Sequence, residues 1–169
     1  MADIRIIPAG QDDIPRLDAL VDVLGYYNAP GYFERCIAEQ NEGKRAVFIA
    51  MLGGKDVAYA MINWQPGYAP FRRLNIPEIQ DINTISAARR QGVATALIRH
   101  CEDAAREKGF SEIGIGVGLH SGYGNAQRLY VKLGYVPDGA GVTYDREPVT
   151  PIEMRPIDDN LSLMMLKSL

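Results

Sequence analysis

The sequence predicts an α/β (α+β) fold, a mixed sheet with helices on its faces, on three observations. Apolar residues recur at helical spacing from Ile14 to Leu24, then change to a strand-like period after Arg45. The elements run strand, two helices, three strands, helix, strand, helix, two strands, and such mixed order implies helices layered on a sheet. Two of the helices each join one strand to the next, which predicts local parallel pairing through right-handed crossovers. No internal repeat, low-complexity tract or linker interrupts the pattern, so residues 1–169 read as one domain.

Each element has its own signal. Ile4-Arg5-Ile6-Ile7 reads as an opening strand closed by Pro8. Ile14, Leu17, Leu20, Val21 and Leu24 make a helical stripe, with acids in its first turn, where the helix dipole favours them, and Pro15 tolerated near its start. Residues 26–31 break the chain, and a second helix follows through Phe33, Cys36 and Ile37 to about Gly43. Arg45–Leu52 and Val57–Trp64 are hairpin partners about the turn Gly53-Gly54-Lys55-Asp56. Gln65–Asn75 reads as a loop and Glu78–Thr84 as a strand. Gly92–Lys108 is an amphipathic helix stopped at Gly109, a residue suited to a left-handed cap. Glu112–Val117 is a strand, Asn125–Leu133 a helix, and strands follow from Tyr135 and over Leu161–Leu166.

Composition excludes several classes of function. A chain of 169 residues can bury a full core, and 47% hydrophobic with 23% charged residues argues against disorder. A net charge of −3 predicts no basic face for nucleic acid and is compatible with a cationic substrate. No apolar run approaches the roughly 20 residues that cross a bilayer, and Met1 to Arg5 lacks signal-peptide features, so no membrane association is expected. Cys36 and Cys101 lie far apart in helix-like segments and read as reduced, packed thiols. The expectation is a cytoplasmic protein without a metal.

The chemistry is concentrated where Glu78-Ile79-Gln80-Asp81-Ile82-Asn83-Thr84 runs into Arg89-Arg90-Gln91-Gly92-Val93-Ala94-Thr95. A strand ends, a short basic loop follows, and a helix begins at a glycine. The unpaired N–H groups of a helix N-terminus, with the positive dipole end behind them, suit a phosphate or pyrophosphate. Arg89 and Arg90 add charge for a polyphosphate; an ordinary joint with solvated arginines has the same spacing. A P-loop and a three-glycine dinucleotide fingerprint are both absent.

Arg89-x-x-Gly92-x-Ala94 resembles the pyrophosphate loop of the GNAT acetyltransferases, Arg/Gln-x-x-Gly-x-Gly/Ala. The strand Glu78–Thr84 resembles the strand that precedes it in the family. About thirty residues on, Ala126-Gln-Arg-Leu-Tyr130-Val-Lys-Leu-Gly-Tyr135 is similar to the family block Ala-x-x-Leu-Tyr-x-Lys-x-Gly-Phe/Tyr. The resemblance spans Ile4 to Leu166. It implies a mostly antiparallel central sheet of about seven strands, with the fourth and fifth splayed for the cofactor and helices on both faces.

The resemblance also implies acetyl-CoA as cosubstrate and acetylation of a primary amine by direct attack in a ternary complex. Ile82, Asn83 and Thr84 would pair with the pantetheine arm, and Arg89, Arg90, Gln91, Gly92, Val93, Ala94 and Thr95 would hold the pyrophosphate. Tyr130 occupies the position of the family's acid for the leaving thiolate, although Ala126, Leu129, Tyr130 and Leu133 also share helical core spacing. Glu78 and Asp81 are the candidate bases; strict alternation points them to opposite faces unless a bulge intervenes, and Glu78 ranks first.

Two positions depart from the family pattern. Tyr123 stands where many relatives have the Asn seven residues before the tyrosine, with Asn125 two residues later as the nearest substitute for that cofactor contact. Ser86 stands where a proline is common before the loop. For the acceptor, Tyr27, Tyr32, Trp64 and Tyr144 are the candidate aromatic walls, suited to an amine with an apolar body or to a cation over a ring, and each is equally at home in a core. A small-molecule amine is favoured over a protein N-terminus or lysine. A catalytically silent acyl-CoA-binding module is the alternative from another class. A homodimer is compatible with the family, though no interface is legible.

Overall fold

The computed structural model describes residues 3–169; the reading of the first residues as free of a leader extends over Met1 and Ala2, which lie outside the described residues. In chain order the elements are β1 (Ile4–Pro8), α1 (Ile14–Leu24), α2 (Tyr32–Asn41), β2 (Arg45–Leu52), β3 (Lys55–Asn63), α3 (Ala69–Leu74) and β4 (Glu78–Thr84). There follow α4 (Val93–Glu107), β5 (Glu112–Gly118), α5 (Gly124–Lys132), β6 (Val136–Tyr144), β7 (Glu147–Pro148) and β8 (Leu161–Ser168). The chain forms two compact units, Met1–Trp64 with Ile79–Ala104, and Gln65–Glu78 with Ala105–Leu169. The predicted mixed, mostly antiparallel α/β class holds.

In the first unit the strand order is β1-β2-β3-β4, with β1–β2 and β2–β3 antiparallel. Gly53 (φ 56°) and Gly54 (φ 79°) form the two-residue turn between Leu52 and Lys55, a conformation open to glycine at no steric cost. Alternate residues of β2 serve opposite faces. Val47 and Ile49 join Leu17, Leu20, Phe33, Ile37, Tyr59 and Met61 in one core under α1 and α2. Phe48 points the other way and meets the His100 ring of α4 edge-on, with centroids 4.7 Å apart. Burial on both faces explains the nearly unbroken apolar runs of β2 and β3. Arg16 ties α1 to the hairpin through Asp56 (2.6 and 2.8 Å) and to its own helix start through Asp13 (2.7 Å). Cys36 and Cys101 are buried free thiols, and burial raises both above the ordinary thiol value.

In the second unit the order is β5-β8-β6-β7, with all three pairings antiparallel. The crossover through α5 does join strands of like direction, but β8 lies between β5 and β6, correcting the expected direct parallel pairing. Met164 and Met165, adjacent and both buried, show why: the last strand is apolar on both faces and belongs inside the sheet. Residues 65–75 are not all loop. Ala69–Leu74 closes a short helix, started by Pro70, anchored by buried Phe71 and ended by left-handed Asn75 (φ 56°). With the two-residue strand β7 the described residues form eight strands, in keeping with the expected sheet of about seven.

Candidate active site

The joint between β4 and α4 is built from local backbone geometry. Ser86–Ala88 forms a 3-10 turn, closed by the Ala88 N–H on the Ile85 carbonyl (3.0 Å) where a proline was the commoner choice. Arg89 is extended, Arg90 (φ 61°) and Gly92 (φ 84°) are left-handed, and α4 begins at Val93. The first i→i−4 bond runs from Ala96 N–H to Gly92 O at 2.9 Å. The N–H groups of Val93, Ala94 and Thr95 therefore precede the helical ladder at the positive dipole end. Gly92 is required for its dihedral rather than for space, since a Cβ there would meet Ile4 Cδ1 only at 3.9 Å.

Side chains pin this loop. Arg89 Nε donates to Thr84 O (3.3 Å) and Gln91 Nε2 to Ala87 O (2.9 Å), while Arg89 and Arg90 stay exposed. Thr84 Oγ1 is buried and has no hydrogen-bond partner among the described residues. A buried hydroxyl beside a helix N-terminus fits a ligand with both a polar arm and a phosphate.

β4 is not a regular strand. Asp81 has φ 53°, and a left-handed residue inside a strand shifts the alternation. As a result Gln80, Asp81 and Asn83 all find partners on elements of the first unit. Arg45 Nη1 donates to Gln80 Oε1 (3.1 Å), the Tyr32 hydroxyl donates to Asp81, and Asn83 Nδ2 donates to Tyr59 Oη (3.0 Å). Burial first, and then Asp81, raise the Tyr32 and Tyr59 phenols above their usual value. Ile82 is half-buried between these polar neighbours. Trp64 is buried, and Tyr27 stands in solvent with 86% of its surface exposed.

In the second unit Glu78, only 1% exposed, takes a guanidinium from the turn between β6 and β7. Arg146 Nη2 donates to Glu78 Oε1 at 2.8 Å and Nε to Oε2 at 3.4 Å. β5 supplies the room. Its glycines 114, 116 and 118 share one face, with the Phe71 ring across the first, Met164 Sδ beside the second and the Tyr123 ring across the third. A Cβ on Gly116 would also stand 4.0 Å from Glu78 Oε1. Tyr130 on α5 is buried, its ring 6.2 Å from that of Tyr135. Burial, with a smaller effect from Tyr123, pushes its phenol up to about 12, so it carries its proton at neutral pH. Tyr144 Oη donates to Asp158 (2.8 Å) beneath the Arg155 guanidinium, 5.1 Å from the ring centroid. Asn125 is exposed on the first turn of α5.

The family model described as "Acetyltransferase (GNAT) family" matches residues 16–135, more than half of the chain. The chain belongs to the GNAT acetyltransferase family. Solved structures of like fold include a ribosomal-protein-alanine N-acetyltransferase from Brucella melitensis (21% identity, 98% of this chain and 99% of that one, TM-score 0.69). An IAA acetyltransferase from Bacillus cereus is similar at 17% identity over 99% and 100% of the two chains, TM-score 0.68. A GNAT family acetyltransferase from Elizabethkingia anophelis, with acetyl-CoA bound, is similar at 18% identity over 99% of each chain, TM-score 0.65. No curated protein matches the sequence significantly.

Within this GNAT chain, Tyr123 does more than replace an amide. Its ring fills the space over Gly118, and its hydroxyl donates to Asp159 Oδ1 at 3.1 Å, beside the His120–Asp159 contact at 2.8 Å. Sequence reasoning missed Arg146, Tyr59 and the glycine face of β5. The period-two run Gly114-x-Gly116-x-Gly118 was a usable signal for the last, because a strand rarely gives up three side chains on one face without something lying there. Nothing local marked Arg146, which follows an acid in a turn. Among the described residues no group of His, Cys, Asp or Glu could hold a metal ion, and no helix is long and apolar enough to cross a membrane.

Proposed function

We propose that residues 1–169 act as one N-acetyltransferase domain that moves the acetyl group of acetyl-CoA to a primary amine of a small molecule. The observation that carries this reading is the β4–α4 joint, where β4 ends at the orphaned Thr84 hydroxyl and left-handed Gly92 leads into the first N–H groups of α4. Arg89 to Thr95 would take the pyrophosphate and Ile82 to Thr84 the pantetheine arm, with Asn125 a further contact. The neutral amine attacks the thioester carbonyl, the C–S bond breaks, and the thiolate leaves as coenzyme A. Tyr130 supplies the proton to sulfur, a role that its raised phenol suits because the acid form persists at working pH. The proton lost by the amine goes to a carboxylate at β4. Glu78, held by Arg146, is the first candidate, and Asp81, engaged by Tyr32, is the second. Tyr32 and Tyr144 are the aromatic groups we assign to the acceptor, with Tyr27 and Trp64 at its margin. Two buried thiols suit a reducing, cytoplasmic setting.

The test is release of free thiol from acetyl-CoA in the presence of an amine panel: a polyamine, an aminoglycoside, amino-acid amides and a peptide with a free N-terminus. Amine-dependent release that falls at least tenfold in Tyr130→Phe supports the enzyme and its acid. Turnover confined to the peptide moves the acceptor to protein N-termini. Tight calorimetric binding of acetyl-CoA with no release from any amine points to a silent binding module, and absence of binding refutes the proposal.

A further inference from the structure

We propose that Arg146 is a positioning residue for acetyl transfer, holding the Glu78 carboxylate in one orientation toward the acceptor amine. The inference rests on the reading of Glu78 as the base that takes the amine's proton. Three observations within the second unit carry it. The first is burial: Glu78 is 1% exposed, and a side chain with two polar oxygens taken that far from water needs hydrogen-bond donors close by. Arg146 supplies two, with Nη2 on Oε1 at 2.8 Å and Nε reaching toward Oε2 at 3.4 Å. Contact by two nitrogens of a planar group sets the carboxylate plane, which a lysine ammonium cannot do.

The second observation is the backbone that presents the arginine. Tyr144 pairs with Glu147, so Asp145 and Arg146 are the two central residues of the β6–β7 turn. Both are left-handed, at φ 51° and 63°, as a type I′ turn requires. Aspartate tolerates that region, whereas the second central position ordinarily suits glycine. An arginine held there is strained, and strain at a non-glycine position points to the side chain as the reason for it. The third is the glycine face of β5: Gly116 puts no side chain of its own beside Glu78 Oε1, where Met164 Sδ is the near neighbour, and Arg146 keeps 42% of its side-chain surface exposed. The pair thus reaches from a buried acid to solvent by way of one turn residue.

The experiment is a double-mutant cycle read in kcat, KM and melting temperature, with the fastest amine of the panel as acceptor. Glu78→Gln, Arg146→Gln, Arg146→Lys and Glu78→Gln/Arg146→Gln are compared with the native chain, and calorimetric binding of acetyl-CoA serves as the folding control. We expect each Gln variant to lose at least about tenfold in kcat, and Arg146→Lys to recover part of it. The double variant should melt higher than Arg146→Gln, because the buried carboxylate that lost its guanidinium is also gone, yet turn over no faster than Glu78→Gln. If kcat recovers together with melting temperature in the double variant, Arg146 is only structural and the proposal is overturned. A native kcat in Arg146→Gln beside a damaged Glu78→Gln also overturns it, as does a further loss when Arg146 is changed in the Glu78→Gln background. A native kcat in Glu78→Gln removes the acid's role itself, and the proposal with it.

Discussion

Tyr32 on α2 donates its hydroxyl hydrogen to Asp81, the residue at which β4 turns left-handed. The bond and the dihedral are linked, because the shifted alternation turns Asp81 to Tyr32 of α2 while its neighbours Gln80 and Asn83 reach Arg45 of β2 and Tyr59 of β3. Asp81→Val should therefore cost about 1–3 kcal/mol, since a β-branched residue resists positive φ. Asp81→Asn, which tolerates that region and keeps an acceptor for Tyr32, should stay close to native. Urea unfolding of the two variants side by side checks this; equal stability would mean that the backbone relaxes at no cost.

Gly92 is predicted to be needed for its dihedral at the head of α4. Gly92→Val puts a branched side chain at φ 84°, where even a plain Cβ costs about 1–2 kcal/mol, and the loop must rearrange. The expected outcome is at least a tenfold weaker Kd for coenzyme A with a fall of a few degrees in melting temperature, which comes from the dihedral and not from crowding, because a Cβ at this position would meet its nearest neighbour only at 3.9 Å. Isothermal titration and a thermal melt together decide the point.

Gly114 gives the opposite pattern. A Cβ there would lie 2.0 Å from Phe71 Cε2, inside a packed core of Tyr68, Phe71, Ile76 and Met164. Gly114→Ala should destabilise by about 1–3 kcal/mol through overpacking. Gly114→Ala combined with Phe71→Leu should recover part of the loss, which differential scanning calorimetry would register as a partial return of Tm.

The buried tyrosines set the alkaline limit of stability. The Tyr130 phenol is raised from 10 to about 12, and Tyr32, Tyr59 and Tyr68 are raised by burial as well. A group whose folded value lies above its unfolded value contributes fully below the unfolded value and is lost as pH climbs through the folded one. Melting temperature should accordingly hold up to about pH 10 and fall between about 10 and 12. Tyr130→Phe should make that fall shallower; an identical fall in the variant would show that Tyr130 does not contribute.

Much of the fold was legible because it rests on local rules. Leu17, Leu20 and Val21 face the core at their helical spacing, Gly53-Gly54 turns the hairpin, and Gly92 opens α4, each from information within a few residues. The short helix Ala69–Leu74 was hidden by a Pro- and Gly-rich composition that usually means loop, and it forms because Phe71 has a buried place to go.

By itself the sequence determined the α/β class, the strand–loop–helix joint at Gly92 and the family, since periodicity and short motifs are properties of neighbouring residues. The tertiary structure alone decided that β8 enters between β5 and β6, that Asp81 reaches Tyr32, and that Glu78 meets Arg146 across 68 positions of chain. Those contacts depend on which surfaces are buried together, and a buried charge selects its partner by desolvation and geometry rather than by distance along the sequence.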